Sequence, residues 1–256
     1  MLRLYVGKID GEVRRHIDER WEGRSTVTVM PLMKRLTFDI ITSLLFGLER
    51  GPVRDALAGD FERVIDLWSV VSRERSGQRA RGDHAWRSDQ HDEVAKGKGD
   101  GEALLTWEDL GKMKFTWRVA QETLRVVPPV FDNFRTAIQD VEFGGYTIPK
   151  GWQVFWTAGV THMDAAIFPE PHKFDPSRFE NNQSSSAPPC SFVAFGGGPR
   201  ICVGMEFARI ETLVTMHHLL RRFRWRLCCK EDTFARDPMP TPLHGLPIEI
   251  EHRTYY

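Results

Sequence analysis

A mainly α fold with small β-sheets (α+β), helices dominating, is what three observations predict. Apolar residues recur at three- and four-residue spacing over several long stretches. The β-prone pieces are short and lie beside turn residues. No internal repeat occurs, which excludes solenoid and propeller architectures.

Taken in order, residues 11–21 read as an amphipathic helix, with Val13, Ile17 and Trp21 four apart and Arg and Glu between them. Thr26 to Val29 is a short extended piece. Pro31 suits the first turn of a core helix over 32–46, and Gly47 is a natural stop. A further helix is expected over 53–71. From 72 to 105 the chain is rich in Arg, Gly and Lys and poor in large apolar side chains, so it reads as a polar linker and the main organisational break. Thr106 can cap a single helix running through Met113, Trp117, Ala120 and Leu124, with Glu108 and Asp109 in its first turn. Pro128-Pro129 ends it. Strands at 141–143 and 153–156 flank the turn-rich Gly144 to Gly151. The five prolines and three consecutive serines between Phe168 and Pro189 give an irregular loop. A helix comes next over 206–222, and strands around a turn at 242–245 fill the tail. The organisation expected is a helical region 1–71, a linker 72–105 and a C-terminal region 106–256.

Lys+Arg and Asp+Glu both total 35, so formal net charge is zero and no electrostatic argument favours nucleic acid. The stretch 32–48 holds Lys34, Arg35 and Asp39, too charged and too short to span a bilayer. Four cysteines, none in a CxxC pair, argue against a zinc site and a disulfide scaffold. His162, His217, His218 and the Arg221-Arg222 pair read as surface residues.

One segment stands out: Phe195-Gly196-Gly197-Gly198-Pro199-Arg200-Ile201-Cys202-Val203-Gly204. Three glycines and a proline make a tight backbone of little bulk, against which a flat cofactor can lie. A cysteine at the start of a helix has its thiolate favoured by the helix dipole and free N–H groups. Arg200 adds a positive charge for an anionic partner. A phosphate-cradling loop is the first rival reading, but no Gly-Lys-Ser/Thr comes after it and the GxGxxG spacing is not met. A structural cysteine in an ordinary turn is the second.

The segment resembles the cysteine loop of the cytochrome P450 family, Phe-Gly-x-Gly-x-Arg-x-Cys-x-Gly, at all six specified positions. The resemblance implies haem b, with the Cys202 thiolate as axial iron ligand. It implies cofactor-binding roles for Arg200 on a propionate, for Phe195 beside the sulfur, and for Gly198 and Gly204 in the loop. Glu122-Thr123-Leu124-Arg125 resembles the family's ExxR, and Phe174 to Phe179 the segment supplying its third member, Arg178. Glu122, Arg125 and Arg178 are then structural. Arg135 resembles a second propionate-binding arginine, and Pro129 and Val130 sit where the family lines its substrate pocket. Phe38 to Ile41, Thr116 to Ala120 and Pro149 to Trp152 resemble plant enzymes that oxidise triterpenoids, diterpenoids and steroids.

The resemblance implies a monooxygenase inserting one oxygen atom of O2 into an isoprenoid-derived substrate, with an NADPH-dependent reductase as electron donor and a hydrophobic small molecule as ligand. The implied location is the cytosolic face of the endoplasmic reticulum membrane; with no anchor segment seen, a soluble chain is the other expectation. The family's oxygen-activating motif, Ala/Gly-Gly-x-Asp/Glu-Thr, does not occur. No catalytic residue is therefore assigned. The fold expected is a partial cytochrome P450 fold, truncated and internally deleted, lacking the distal helix. The alternative function is a haem-binding fragment without turnover.

Overall fold

In a computed structural model, residues 2–48, 51, 54, 89–98, 103–130, 132–180, 188–228, 234–236 and 240–253 are described. The chain divides into two compact units, residues 1–121 with 203–256, and residues 122–202. The helix expected over 53–71 falls outside the described residues, apart from Arg54.

The first unit is built on helices. α1 (Tyr5–Arg20) buries Val6, Ile9, Val13 and Ile17, a repeat that keeps one stripe inward. β1 (Thr26–Thr28) leads into α2 (Val29–Leu45), with Pro31 in its first turn and Gly47 beyond its end at φ 61°. α3 (Asp89–Lys96) forms inside the expected linker. Its polar composition hides a narrow buried face, His91 and Val94, which is enough to seat two helical turns.

The helix expected from Thr106 onward is two helices. α4 (Trp107–Lys112) starts at a capping box in which Thr106 and Asp109 satisfy each other's main chain. It ends at Met113, whose ψ of 40° leaves the helical region, and α5 (Lys114–Val126) restarts beyond it. Met113 is fully buried, so packing of its side chain overrides the continuous helical periodicity.

α7 (Met205–Arg222) is the unit's central helix, buried without interruption from Ile210 to Leu220. The expectation that His217 and His218 lie at the surface is corrected here: they are 4% and 7% exposed. Distant elements supply their polar partners. His218 Nε2 lies 2.5 Å from Asp10 Oδ1. His217 Nδ1 lies 3.2 Å from His91 Nδ1, and His91 Nε2 lies 2.7 Å from Thr116 Oγ1. A buried imidazole without such contacts would be costly; with them the helix can be enclosed on all sides. Arg221 and Arg222 remain partly exposed.

β6 (Phe223–Leu227) and β9 (Pro247–His252) pair antiparallel, with Trp225 opposite Ile250, and β1 adds to the other edge of β9. β7 (Phe234–Arg236) and β8 (Pro240–Pro242) form a separate two-stranded ribbon.

The second unit carries two small antiparallel pairs. β2 (Asp132–Thr136) pairs β5 (Gln153–Thr157), with Phe134 opposite Phe155. The turn-rich centre expected between strands itself contains a strand: β3 (Val141–Phe143) pairs β4 (Tyr146–Ile148) across Gly144-Gly145. Both glycines have positive φ, 58° and 81°, as a two-residue hairpin turn of the right twist requires. α6 (Ala158–His162) comes after β5, and single-turn 3₁₀ helices form at Pro176–Phe179 and Gly198–Arg200.

Candidate functional site

Two adjacent features of the second unit matter: a buried ion-pair cluster and the cysteine loop. The cluster begins on α5, where an i,i+3 spacing places Glu122 and Arg125 on one face. Both side chains are fully buried. Arg125 donates from Nε to Glu122 Oε2 at 2.7 Å and from Nη2 to Oε1 at 2.8 Å, a bidentate fork. Its Nη1 donates to the His162 carbonyl at 2.8 Å. Glu122 Oε1 also accepts the Asp175 N–H at 2.9 Å and lies 3.4 Å from Arg178 Nε. Arg178 reaches back to the Glu170 carbonyl at 3.0 Å. The three residues singled out in the sequence thus meet at one carboxylate.

Sequence reasoning missed the fourth member. His162, expected at the surface, is fully buried. The Val193 N–H donates to its Nε2 at 3.0 Å, so that nitrogen carries no proton. Nδ1 is therefore the protonated nitrogen, and it donates to the Arg125 carbonyl at 3.1 Å. Burial above all pushes the imidazole pKa down to about 4. Phe192 stacks on the ring, centroids 5.4 Å apart, and Phe168 meets it edge-on at 6.1 Å. His162 so links the ion-pair helix to Val193, two residues ahead of Phe195. The signal that could have found it was weak: one histidine at the end of a short helix before an aromatic-rich segment.

The cysteine loop turns back on itself. The Cys202 N–H donates to the Phe195 carbonyl at 2.8 Å, closing the loop at its two ends. Gly196 and Gly198 sit at φ 76° and 64°, in the left-handed region that side chains disfavour. At Gly197 the need is space: a Cβ there would lie 2.9 Å from Cys190 Sγ. Phe195 is half-buried, while Gly198 and Arg200 are exposed. Arg200 makes no ion pair among the described residues. Cys202 is a free, exposed thiol. It lies just before α7, which begins at Met205 with Gly204 as its N-cap. Arg135 stands on β2, exposed, with Nη1 donating to the Asn133 side chain at 3.1 Å and to the Phe134 carbonyl at 2.9 Å. Pro129 is buried and Val130 is half exposed.

A haem ligated through sulfur needs an accessible thiol on a backbone of little bulk, with cations free for its carboxylates. The exposed Cys202, the glycine turn and the solvent-facing Arg200 fit that group.

The sequence model of the family described as Cytochrome P450 matches residues 90–250. A Beta-amyrin 28-monooxygenase of Kalopanax septemlobus is 51% identical over 158 residues, covering 62% of this chain and 32% of that protein. Beta-amyrin 28-monooxygenase CYP716A378 of Saponaria officinalis is 32% identical over 97% of this chain and 68% of its own length. That alignment runs over 334 positions, more than the 256 residues of this chain, so the difference falls in gaps on this side. The matched stretch spans about a third of the first of these relatives. Among solved structures, retinoic acid bound cyanobacterial CYP120A1 superposes with a TM-score of 0.74 at 26% identity, covering 98% of this chain and 75% of that one. The chain belongs to the cytochrome P450 family.

Proposed function

We propose that this cytochrome P450 family member is a haem-thiolate monooxygenase acting on a triterpenoid-type substrate. The reaction inserts one oxygen atom of O2 into a C–H bond; the other leaves as water, with two protons and two electrons supplied through an NADPH-dependent reductase. The observation that carries this reading is the closed glycine loop presenting Cys202 as an exposed, unpaired thiol. Similarity to plant Beta-amyrin 28-monooxygenases supports the substrate class. Among the described residues no helix is long and apolar enough to cross a membrane; the cytosolic face of the endoplasmic reticulum is proposed from the relatives' type.

Bound haem supplies oxygen activation, with a thiolate ligand donating electron density that favours O–O cleavage. Cys202 provides that sulfur, held by its own N–H on the Phe195 carbonyl. Arg200 and Arg135 would pair with the propionates, Phe195 would shield the sulfur, and Gly198 and Gly204 would leave room for the ring. Glu122, Arg125 and Arg178 fix the segments from which the loop is hung. Pro129 and Val130 face the substrate.

A second reading is a haem-binding chain without turnover. It is favoured by the alignment gaps and by the lack of an Ala/Gly-Gly-x-Asp/Glu-Thr motif. One experiment addresses both. The haem-reconstituted chain is reduced and exposed to carbon monoxide. A strongly red-shifted Soret band, lost in Cys202→Ala, supports thiolate ligation. Turnover of β-amyrin with a reductase then supports the first reading, and its lack the second. No thiolate-type band overturns the assignment of Cys202.

A further inference from the structure

We propose that a cleft at the C-terminal end of α7 binds a phosphorylated small molecule of nucleotide size. The cleft lies wholly within the first unit and encloses about 310 Å³. Among the described residues, Arg14, Lys98, Arg221, Arg222 and Arg253 line it, with Glu22 as the lining carboxylate. Guanidinium forks match phosphate oxygens bidentately, which makes such a cluster suited to phosphate.

The cations are not equally engaged. Arg14 is tied to Asp10 at 3.0 Å and Lys98 to Asp109 at 2.7 Å. Arg222 pairs with Asp18 and Glu22. Arg221 stands 3.9 Å from Asp92, and Arg253 makes no ion pair among the described residues. Arg221, at the end of α7, and Arg253, just after β9, both line the cleft, so a bound anion would meet the two together.

The floor of the cleft supports the same reading. His217 and His218 line it and are almost wholly buried. Burial holds both imidazoles below the ordinary histidine range; His218 and His91, then Arg221 and Arg14, lower His217 further, while for His218 the Asp10 carboxylate opposes the lowering and Arg14 and Arg222 add to it. The rim cations Arg14, Arg221 and Arg222 thus bear on the floor, with burial the larger cause. The space is roughly ten times the ~30 Å³ share of a water and lies at the lower end of the ~300–1,000 Å³ range of small-molecule sites. A bare ion would fill little of it. Leu105, buried beside the cations, offers an apolar wall for the rest of the ligand.

The test is calorimetric titration of the full chain with inorganic pyrophosphate and, separately, adenosine 5′-monophosphate, with the histidine ring protons tracked by NMR. The expected result is binding that shifts the His217 and His218 signals, with the monophosphate at least as tight as pyrophosphate. The double variant Arg221→Ala/Arg253→Ala should weaken it by roughly tenfold or more, as loss of charge-assisted contacts does. Arg221→Lys/Arg253→Lys should keep part of the affinity while the fold is unchanged. Pyrophosphate binding without monophosphate binding would overturn the nucleotide-sized ligand. No binding at millimolar ligand, or affinity indifferent to the alanine pair, would overturn the site itself. Because neither arginine belongs to the cysteine loop or the ion-pair cluster, haem uptake should be unchanged in both variants.

Discussion

Replacing His162 by alanine tests whether one imidazole ties the ion-pair cluster to the cysteine loop. The substitution strips the Arg125 carbonyl and the Val193 N–H of their partner inside a fully buried site. Each orphaned main-chain group costs about 1–3 kcal/mol, and each lost ring contact, with Phe192 and Phe168, about 0.5–1.5 kcal/mol. The sum is roughly 3–9 kcal/mol, a large share of the ~5–15 kcal/mol that holds a domain together. Urea unfolding monitored by tryptophan fluorescence reads it. The pH dependence separates this account from simple cavity formation. The folded imidazole protonates only near pH 4, whereas the unfolded one does so near 6.5. Its contribution is therefore complete above about pH 6.5 and is lost as pH falls toward 4, at about 1.4 kcal/mol per pH unit for one proton. The gap between the wild-type chain and His162→Ala should narrow by about 3 kcal/mol from pH 7 to pH 4. His162→Phe, which keeps a ring but no hydrogen bond, should narrow in the same way. A gap that stays constant with pH, or an alanine variant as stable as the wild-type chain, would refute the reasoning.

Three further outcomes are expected. Glu122→Gln leaves the Arg125 guanidinium buried against a neutral amide and should cost about 3–5 kcal/mol in the same urea assay, since breaking a buried pair strands a charge. Glu211 on α7 is pushed up to about 7 by burial, although the Thr37 hydroxyl donates to it at 2.5 Å. Its stabilising protonated form is complete below the ordinary pKa of 4.5 and lost as pH rises through 7, so Glu211→Gln should gain about 3 kcal/mol over the wild-type chain between pH 4 and pH 8. Gly197→Ala puts a methyl 2.9 Å from Cys190 Sγ and should cost about 1–3 kcal/mol, with reduced haem uptake; adding Cys190→Gly, which removes that sulfur, should restore both in a double-mutant cycle.

How much the sequence made legible depends on the kind of partner each residue has. The meeting of Glu122, Arg125 and Arg178 was legible through resemblance to a family motif: the i,i+3 spacing of Glu122 and Arg125 is by itself common on helices, and Arg178 lies in a distant segment. His162 was not, because its partners are a carbonyl and an N–H, which every residue carries. His217 and His218 were hidden for another reason: Asp10 and His91 lie 208 and 126 residues away in the chain, and no local pattern encodes such a meeting. The long helices were legible from their apolar spacing, and the helix cap from Thr106. The break at Met113 was not, since a buried methionine continues the helical repeat while its backbone leaves it. α3 escaped because two inward side chains in eight residues do not change a polar composition.

The Glu122–Arg125 pair shows why a chain keeps charge in its interior at all. Burying two ions costs several kcal/mol each, and their attraction offsets this only when the remaining hydrogen-bonding capacity is also met. Here it is met by the main chain of other segments: the Asp175 N–H on the carboxylate, the His162 and Lys173 carbonyls on the guanidinium. An apolar pair of similar volume could fill the space but could not hold those groups in register. The ion pair therefore contributes less as a source of stability than as a fixed point. It joins α5, the end of α6 and the 173–178 turn, and through His162 it is tied to Val193, two residues ahead of the cysteine loop. If that is its role, Glu122→Leu/Arg125→Met should unfold no more easily than Glu122→Gln, yet should lose haem uptake in step with it. A double variant that takes up haem as the wild-type chain does would show that the loop sets its own position.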